Sequence, residues 1–175
     1  MNRIEVNAEE VPLPEWEGAL KNFTLKVLDK ISRDGWDLSV LLCNDSRIQS
    51  LNKQFRQKDE ATDVLSFPLG ETIKDEGEDR YLPGDIVISL DTLAENSRYF
   101  NISEDEELRR LLIHGILHLD GMDHETNNET EPMLRLQEKI LADLAGERIL
   151  APPKGFCPPK ESCTPKESCT PKEYL

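Results

Sequence analysis

Positive charge and long apolar runs are both scarce in this sequence. Its 175 residues include 21 Lys and Arg against 35 Asp and Glu, which gives a formal net charge of −14. Such a balance argues for solubility and against broad electrostatic capture of DNA, RNA or anionic membranes. No stretch of about eighteen apolar residues is present to span a bilayer, and the N-terminal MNRIEVNAEE lacks the apolar core of a signal peptide. We therefore expect a cytoplasmic protein with no membrane or DNA partner.

Cysteine is nearly absent before the C-terminal segment. Only Cys43 precedes residue 151, and the others follow at six-residue intervals in the repeat CPPKES CTPKES CTPKEYL: Cys157, Cys163 and Cys169. A disulfide framework would be spread through the fold, so we expect reduced thiols, and the tail lacks the close cysteine pairs of a zinc site. Every hexad contains proline and almost no apolar residue. The sequence therefore predicts a disordered tail over 151–175 and a single folded domain over 1–150.

Strand and helix patterns alternate along the first 150 residues. Strands are predicted at 3–6, 36–43, 63–69 and 85–90, and helices are predicted from Pro14, after the capping residues 44–46, from Asp91, from Ser103 and around Pro132. The acidic ETIKDEGED at 71–79 is expected to be a loop. These elements predict an α/β (α+β) fold, one layered domain in which a small mixed sheet of about four strands packs against about five helices, one largely buried.

Histidine is also scarce, and its three copies all lie in HGILHLDGMDH at 114–124. On a helix His114 and His118 share one face, one turn apart. Gly121 tolerates the left-handed backbone that ends helices, so the chain can return His124 towards them. Three neutral imidazoles with an open fourth position are the ligand set of a catalytic zinc site. The spacing predicts one zinc ion per chain, held by His114, His118 and His124.

These histidines have two other interpretations. A histidine pair at this spacing is usually just a polar helix face or a satisfied core group, but the added glycine and third histidine favour a metal site. The same spacing occurs in the HExxHxxGxxH motif of metzincin proteases, whose glutamate is the general base. Here Gly115 occupies that position, which argues against a metallopeptidase.

Several motifs, in the same order along the chain, resemble the YbeY-type single-strand endoribonucleases of bacterial rRNA maturation. They are LN at 51–52 with FR at 55–56, TDVLSFP at 62–68, GDIVIS at 84–89, and HGILHL with GMDH at 114–124. The resemblance implies a zinc-dependent ribonuclease that acts in 16S rRNA 3′-end processing and ribosome quality control. It also implies that His114, His118 and His124 bind the zinc and that Arg56 is important for cleavage. The hexad tail lies outside the family pattern.

Our leading hypothesis is thus a single-strand-specific, metal-dependent endoribonuclease that acts on RNA phosphodiester bonds. Arg56 lies in a basic stretch, 47–58, that contains no acidic residue, and a guanidinium suits phosphate recognition. Because the rest of the protein is acidic, we expect the ribosome or a ribosomal protein to deliver the single-stranded RNA or rRNA substrate. The rival hypotheses are a ribosome-associated assembly factor with a structural zinc site and, more remotely, a metallopeptidase-like hydrolase. The general base stays open, with Asp85 and Asp123 as candidates, and the RNA 2′-hydroxyl is an alternative nucleophile to water.

Overall fold

A four-stranded mixed sheet organises residues 1–152, the part of the chain that the computed structural model describes. The strands are β1 (Arg3–Ala8), β2 (Asp37–Cys43), β3 (Val64–Asp75) and β4 (Glu78–Ser89), in the spatial order β1-β2-β4-β3. Strands β1, β2 and β4 run parallel, whereas β3 pairs antiparallel with β4. The predicted mixed α/β sheet of about four strands is confirmed.

Five helices surround this sheet in the described residues: α1 (Glu17–Lys30), α2 (Asp45–Arg56), α3 (Leu90–Phe100), α4 (Glu104–Leu119) and α5 (Pro132–Asp143). Helix α4 is buried on most of its circumference, as its continuous apolar sequence predicts. A Cβ atom placed on Gly115 would lie 3.0 Å from the Ile86 side chain of β4, so the glycine lets α4 pack tightly on the sheet.

Helix starts follow their capping residues. The side chain of Asn44 accepts a hydrogen bond from the Arg47 N–H, and that of Ser103 accepts one from the Glu106 N–H. The predicted cap of α3 was wrong: Ser89, not Asp91, accepts the hydrogen bond from the Thr92 N–H. Serine has the same capping chemistry as aspartate, and here it stands directly at the end of β4.

The predicted loop at 71–79 is also wrong, because this segment forms the far end of a β-hairpin. Strand β3 continues to Asp75, β4 begins at Glu78, and Thr72 is paired with Tyr81 across the hairpin. The turn residues Glu76 and Gly77 have φ values of 50° and 88°, the left-handed pair that a tight two-residue hairpin turn requires. Most side chains of this extension are exposed, so no apolar alternation marked it as a strand.

The end of the described chain is anchored to α4. The buried carboxylate of Asp105 accepts hydrogen bonds from the Ile149 and Leu150 N–H groups at 2.7 and 2.8 Å, and it also pairs with Arg109. Cys43 is a free, buried thiol, and burial raises its pKa to about 11. The predicted tail, with its three cysteines, lies outside the described residues from 153 onward. Within residues 1–152 no helix combines the length and apolarity needed to cross a membrane.

Candidate metal-binding active site

The C-terminal half of α4 and the turn after it bring the three histidines together. His114 and His118 lie one turn apart on α4, with 3.0 Å between their Nε2 atoms. Helix α4 ends at Leu119. Gly121, whose φ is 88°, then reverses the chain, and its N–H donates to the His118 carbonyl. His124 thereby returns to the other two rings, and the ligand atoms of all three lie within 4.8 Å of one another.

The Nδ1 atom of each of the three rings forms a hydrogen bond with an oxygen atom. The Nδ1 partners are the Gln137 Oε1 at 2.8 Å for His114, the Met122 carbonyl at 3.1 Å for His118 and the Thr126 carbonyl at 3.0 Å for His124. Because a carbonyl oxygen only accepts, Nδ1 must carry the proton in each ring. The lone pair of each neutral imidazole is therefore on Nε2, the nitrogen that is left to bind a ligand.

This donor set fits a metal ion of the zinc type. Two lone pairs that face each other across 3.0 Å have no proton between them, whereas two nitrogens bound to one ion at ~2.0–2.1 Å can adopt that separation. Burial, followed by smaller charge effects that include His124, lowers the pKa of His114 and of His118. Both rings are thus kept in the neutral form that metal ligation requires.

A cleft of about 650 Å³ opens beside the histidine cluster. Its lining includes His114, His124, Asp63, Asn127 and the ring of Phe100. Phe100 is 60% exposed although it is the last residue of α3. The next residue, Asn101, has a left-handed backbone and ends the helix. The cleft therefore combines the cluster with polar groups and one open aromatic face.

Arg56 is linked to α4 through Ser66 of β3. It ends α2 with an exposed side chain, and its guanidinium donates to the Ser66 carbonyl at 3.2 Å. The Ser66 hydroxyl in turn donates to the Gly115 carbonyl at 3.4 Å. Arg56 has no carboxylate partner among residues 1–152, and its charge contributes, after burial, to the lowered pKa of His118.

The other cations of the basic stretch are mostly neutralised. Arg47 pairs with Glu9 at 2.5 Å, and Lys53 pairs with Asp59 at 2.6 Å. Arg56 is therefore the cation of the basic stretch that has no carboxylate partner in residues 1–152 and is also linked to α4, through Ser66.

Comparison with known proteins identifies the family. Residues 3–145 match the family model described as Endoribonuclease YbeY. The chain belongs to the YbeY family of endoribonucleases. It is 51% identical over 123 residues to the Endoribonuclease YbeY of Treponema denticola, which covers 70% of this chain and 79% of that protein. It is 47% identical over 143 residues to the Endoribonuclease YbeY of Treponema pallidum (strain Nichols), covering 81% and 89%.

A solved structure supports the YbeY fold. The solution structure of TM1509 from Thermotoga maritima aligns with a TM-score of 0.57 and 33% identity, over 82% of this chain and 90% of that one. The resemblance drawn from the sequence motifs is thus confirmed at the level of the family and of the fold.

Only one of the two candidate general bases, Asp85 and Asp123, lies beside the histidine cluster. Ile86 packs on α4, so its neighbour Asp85 faces the opposite side of the sheet, where it lines a separate cavity with Ser39. Asp85 is therefore wrong as a base for this centre. Asp123 is adjacent: its Oδ1 lies 3.8 Å from the His118 Nδ1 and accepts the His124 N–H at 2.8 Å.

The structure adds site residues that sequence reasoning missed. Phe100 and Gln137 reach the cleft from α3 and α5, respectively. Neither belongs to a recognised YbeY motif, and only the packing of α3 and α5 against α4 brings them to the cleft. Asp63 stands inside the TDVLSFP motif, which was the one available signal for a cleft residue outside the histidine segment.

Proposed function

We propose that the chain is a zinc-dependent, single-strand-specific endoribonuclease that acts in 16S rRNA 3′-end maturation and ribosome quality control. As a member of the YbeY family it is an RNA-cleaving hydrolase. The observation that carries metal dependence is the convergence of three imidazoles whose Nδ1 atoms are all hydrogen-bonded to oxygens. His114, His118 and His124 are the proposed ligands of one zinc ion.

An all-imidazole set distinguishes among possible metals. Imidazole suits zinc and other transition metals, whereas magnesium and calcium prefer oxygen ligands. Three protein ligands also leave a fourth position open, as in catalytic rather than structural zinc sites. When bound, the ion supplies Lewis-acid chemistry that polarises a phosphate oxygen or activates a water. The imidazoles hold their lone pairs ready for it through their Nδ1 hydrogen bonds.

Arg56 is the proposed phosphate-binding residue. Its guanidinium is exposed and free of carboxylate partners in residues 1–152, and the Ser66 carbonyl fixes it beside α4. A planar guanidinium binds two phosphate oxygens at once. Fixed in this place, Arg56 stabilises the negative charge that accumulates on the phosphate during cleavage.

The exposed ring of Phe100 supports the preference for single strands. It lines the same cleft as His114 and His124. Bases of single-stranded RNA stack on open aromatic faces, whereas bases in a duplex are already stacked on their neighbours. A nucleobase on Phe100 would hold the strand beside the metal centre.

The acidic surface supports delivery of the substrate by a partner. The net charge is −14, and two of the cations in the basic stretch are paired with carboxylates. Free RNA should therefore bind weakly and with strong salt dependence. We propose that the ribosome or a ribosomal protein presents the rRNA strand, which places the enzyme in the cytoplasm.

The decisive experiment measures metal content and RNA cleavage together. Wild-type protein should hold about one zinc per chain, since the three histidines form one site, and it should cleave single-stranded RNA carrying the 16S rRNA 3′ end but spare the matched duplex. A chelator should abolish cleavage and zinc should restore it, and His118→Ala should lose both zinc and cleavage. Cleavage that survives complete metal removal would contradict the proposal. A folded zinc protein that never cleaves would instead favour an assembly factor with a structural metal.

A further inference from the structure

Among the hydrogen-bond acceptors for the three histidine Nδ1 atoms, that of His114 differs in kind. His118 and His124 donate to backbone carbonyls, whereas His114 donates to the side chain of Gln137. Gln137 lies on α5 and is only 6% exposed. The orientation of the His114 ring is thus set by a side chain from another helix.

The amide of Gln137 is itself held in one orientation. Its Nε2 donates to the Glu138 Oε1 at 3.0 Å. A carboxylate only accepts hydrogen bonds, so the NH₂ group must face Glu138 and the amide oxygen must face His114. The opposite orientation would turn the NH₂ group towards the His114 ring. It would also place the amide oxygen, an acceptor, against the Glu138 carboxylate, which is an acceptor too.

Arg110 holds Glu138 in turn. Its Nε and Nη2 donate to the two carboxylate oxygens at 3.0 and 3.4 Å. Burial would raise the pKa of Glu138, but the hydrogen bonds from Arg110 and Gln137 outweigh it and lower that pKa. Glu138 therefore stays anionic and continues to accept from both neighbours.

These contacts form a closed path between α4 and α5. Arg110 precedes His114 by one turn of α4, and the path returns to α4 through Glu138 and Gln137 of α5. Arg110 is also fixed by Glu106 at 2.8 Å. Every donor on this path has a carboxylate or amide oxygen as its acceptor, so the path specifies a single proton arrangement.

We propose that Gln137 is a positioning residue for the metal centre: it fixes the Nδ1-protonated form and the orientation of His114, and the Glu138–Arg110 pair fixes Gln137. The proposal rests on the proposed metal site in one respect, since its consequence is the affinity of that site. Outer residues that hold a metal-binding histidine typically contribute 10–100-fold to metal affinity. At this centre only the acceptor of the His114 ring can be removed by a substitution, because the rings of His118 and His124 donate to main-chain oxygens.

The first experiment measures zinc affinity by competition with a chelator, on the full chain. Gln137→Leu should weaken zinc binding about 10–100-fold, because no acceptor remains for the His114 Nδ1–H. Gln137→Glu keeps an acceptor and should bind zinc within a few-fold of wild type. Gln49→Leu, which removes an amide contact to Asp59 that involves none of the three histidines, is the matched control and should bind zinc like wild type. Wild-type affinity in Gln137→Leu, or equal weakening by Leu and Glu, would overturn the proposal.

The second experiment needs neither zinc nor RNA cleavage. Imidazole ¹⁵N chemical shifts of the metal-free protein report which nitrogen of His114 carries the proton. Wild type and Gln137→Glu should show the Nδ1-protonated form, whereas Glu138→Gln, which allows the Gln137 amide to turn, should show a mixture of the two forms. An unchanged His114 spectrum in Glu138→Gln would overturn the proposal even if Gln137→Leu failed to fold. If wild type bound no zinc, the proposed function would fail while these spectra still decided the role of Gln137.

Discussion

Burial and hydrogen bonding act in opposite directions on the protonation of the histidine cluster. Gln137 and the Met122 carbonyl favour the protonated rings of His114 and His118, but burial outweighs them and lowers both pKa values. The cluster is thus built to keep lone pairs available. Its metal binding should respond to acid in a way that ordinary surface histidines would not.

Protonation of His114 and His118 should therefore cost little zinc affinity as the pH falls through ~6.5, the ordinary histidine pKa, and should weaken binding only at lower pH. The sign follows because a lowered pKa keeps the imidazole neutral to lower pH, and a protonated imidazole cannot bind metal. Chelator competition from about pH 8 to about pH 5 measures this directly. A steep loss of affinity already above pH ~6.5 would contradict the lowered values.

Substitution of Arg56 should affect RNA cleavage but not folding. Its exposed side chain makes one hydrogen bond, to the Ser66 carbonyl, so Arg56→Ala should change the free energy of unfolding by no more than about 0.5 kcal/mol. RNA cleavage should slow by on the order of a hundredfold or more, because one charge-stabilising donor is lost. Zinc content should stay at the wild-type level.

The control for Arg56 is Lys53→Ala, which removes a nearby cation that is already paired with Asp59. It should leave cleavage almost unchanged. Normal cleavage in Arg56→Ala would remove its catalytic role and favour the assembly-factor hypothesis. Loss of zinc or of the fold would make Arg56 a structural residue.

Variants of Phe100 test whether stacking on this ring holds the single-stranded RNA. Phe100→Ala should raise KM for single-stranded RNA on the order of tenfold or more, because stacking contributes ~1–3 kcal/mol per base, while kcat and zinc content change little. Phe100→Trp should preserve the low KM. Tyr99 is 83% exposed and packs edge-on against Phe100 at a centroid distance of 5.0 Å, so Tyr99→Ala is the matched control. Equal effects of the two alanine variants would point to general surface hydrophobicity instead of stacking.

At the scale of the elements, the contact of α4 with β4 determines where His114 and His118 lie. The missing side chain at position 115 lets this helix approach Ile86. Position 115 also faces the sheet, away from the cleft. The glutamate that metzincin proteases place there would meet Ile86 and not a substrate, so the packing argues against peptidase chemistry independently of the sequence.

Two glycines in helices provide a matched test of this packing. Gly115→Val should lower the free energy of unfolding by about 1–3 kcal/mol, the usual cost of overfilling a packed core. Gly18 in α1 has no atom within 4 Å of an added Cβ, so Gly18→Val should be almost neutral. Denaturant unfolding of both variants compares them. Equal stabilities would mean that the α4–β4 contact yields more easily than its 3.0 Å approach indicates.

The sequence predicted those elements whose pattern is created by burial. Each of the correctly predicted features has a local cause. The strand at 36–43 has an apolar run, the helix caps at Asn44 and Ser103 have a side-chain oxygen, and the histidine turn has a glycine. The hairpin extension at 71–79 had no such cause, because backbone pairing stabilises it and most of its side chains face solvent. Gln137 was missed for another reason: it meets His114 only because α5 packs on α4, which no local pattern records.

At the scale of the whole molecule, the site residues all lie in the folded domain and none lies in the C-terminal repeats. The family match ends at residue 145, and every site residue described above precedes it. The repeats contribute cysteine, proline, lysine and glutamate but no member of a YbeY motif. Catalysis should therefore depend on residues 1–152 alone.

Deleting residues 153–175 should leave the melting temperature, the zinc content and the cleavage of free single-stranded RNA nearly unchanged. The segment has few apolar residues to bury and no proposed ligand. Parallel thermal melts, metal analysis and cleavage rates compare the two chains. A large loss in any of the three would show that the hexads contribute to the fold or to the site.

The Asp105 clamp on Ile149 and Leu150 has a practical consequence for protein engineering. Asp105 stands in the first turn of α4, whereas His118 is thirteen residues further along the same helix. At ~1.5 Å per residue the two are about 20 Å apart along the helix axis. A fluorophore or affinity tag attached directly after residue 152 would therefore leave the protein at the end of α4 opposite to the histidine cluster. Such a fusion offers a way to immobilise or track the enzyme with the tag held away from the three histidines.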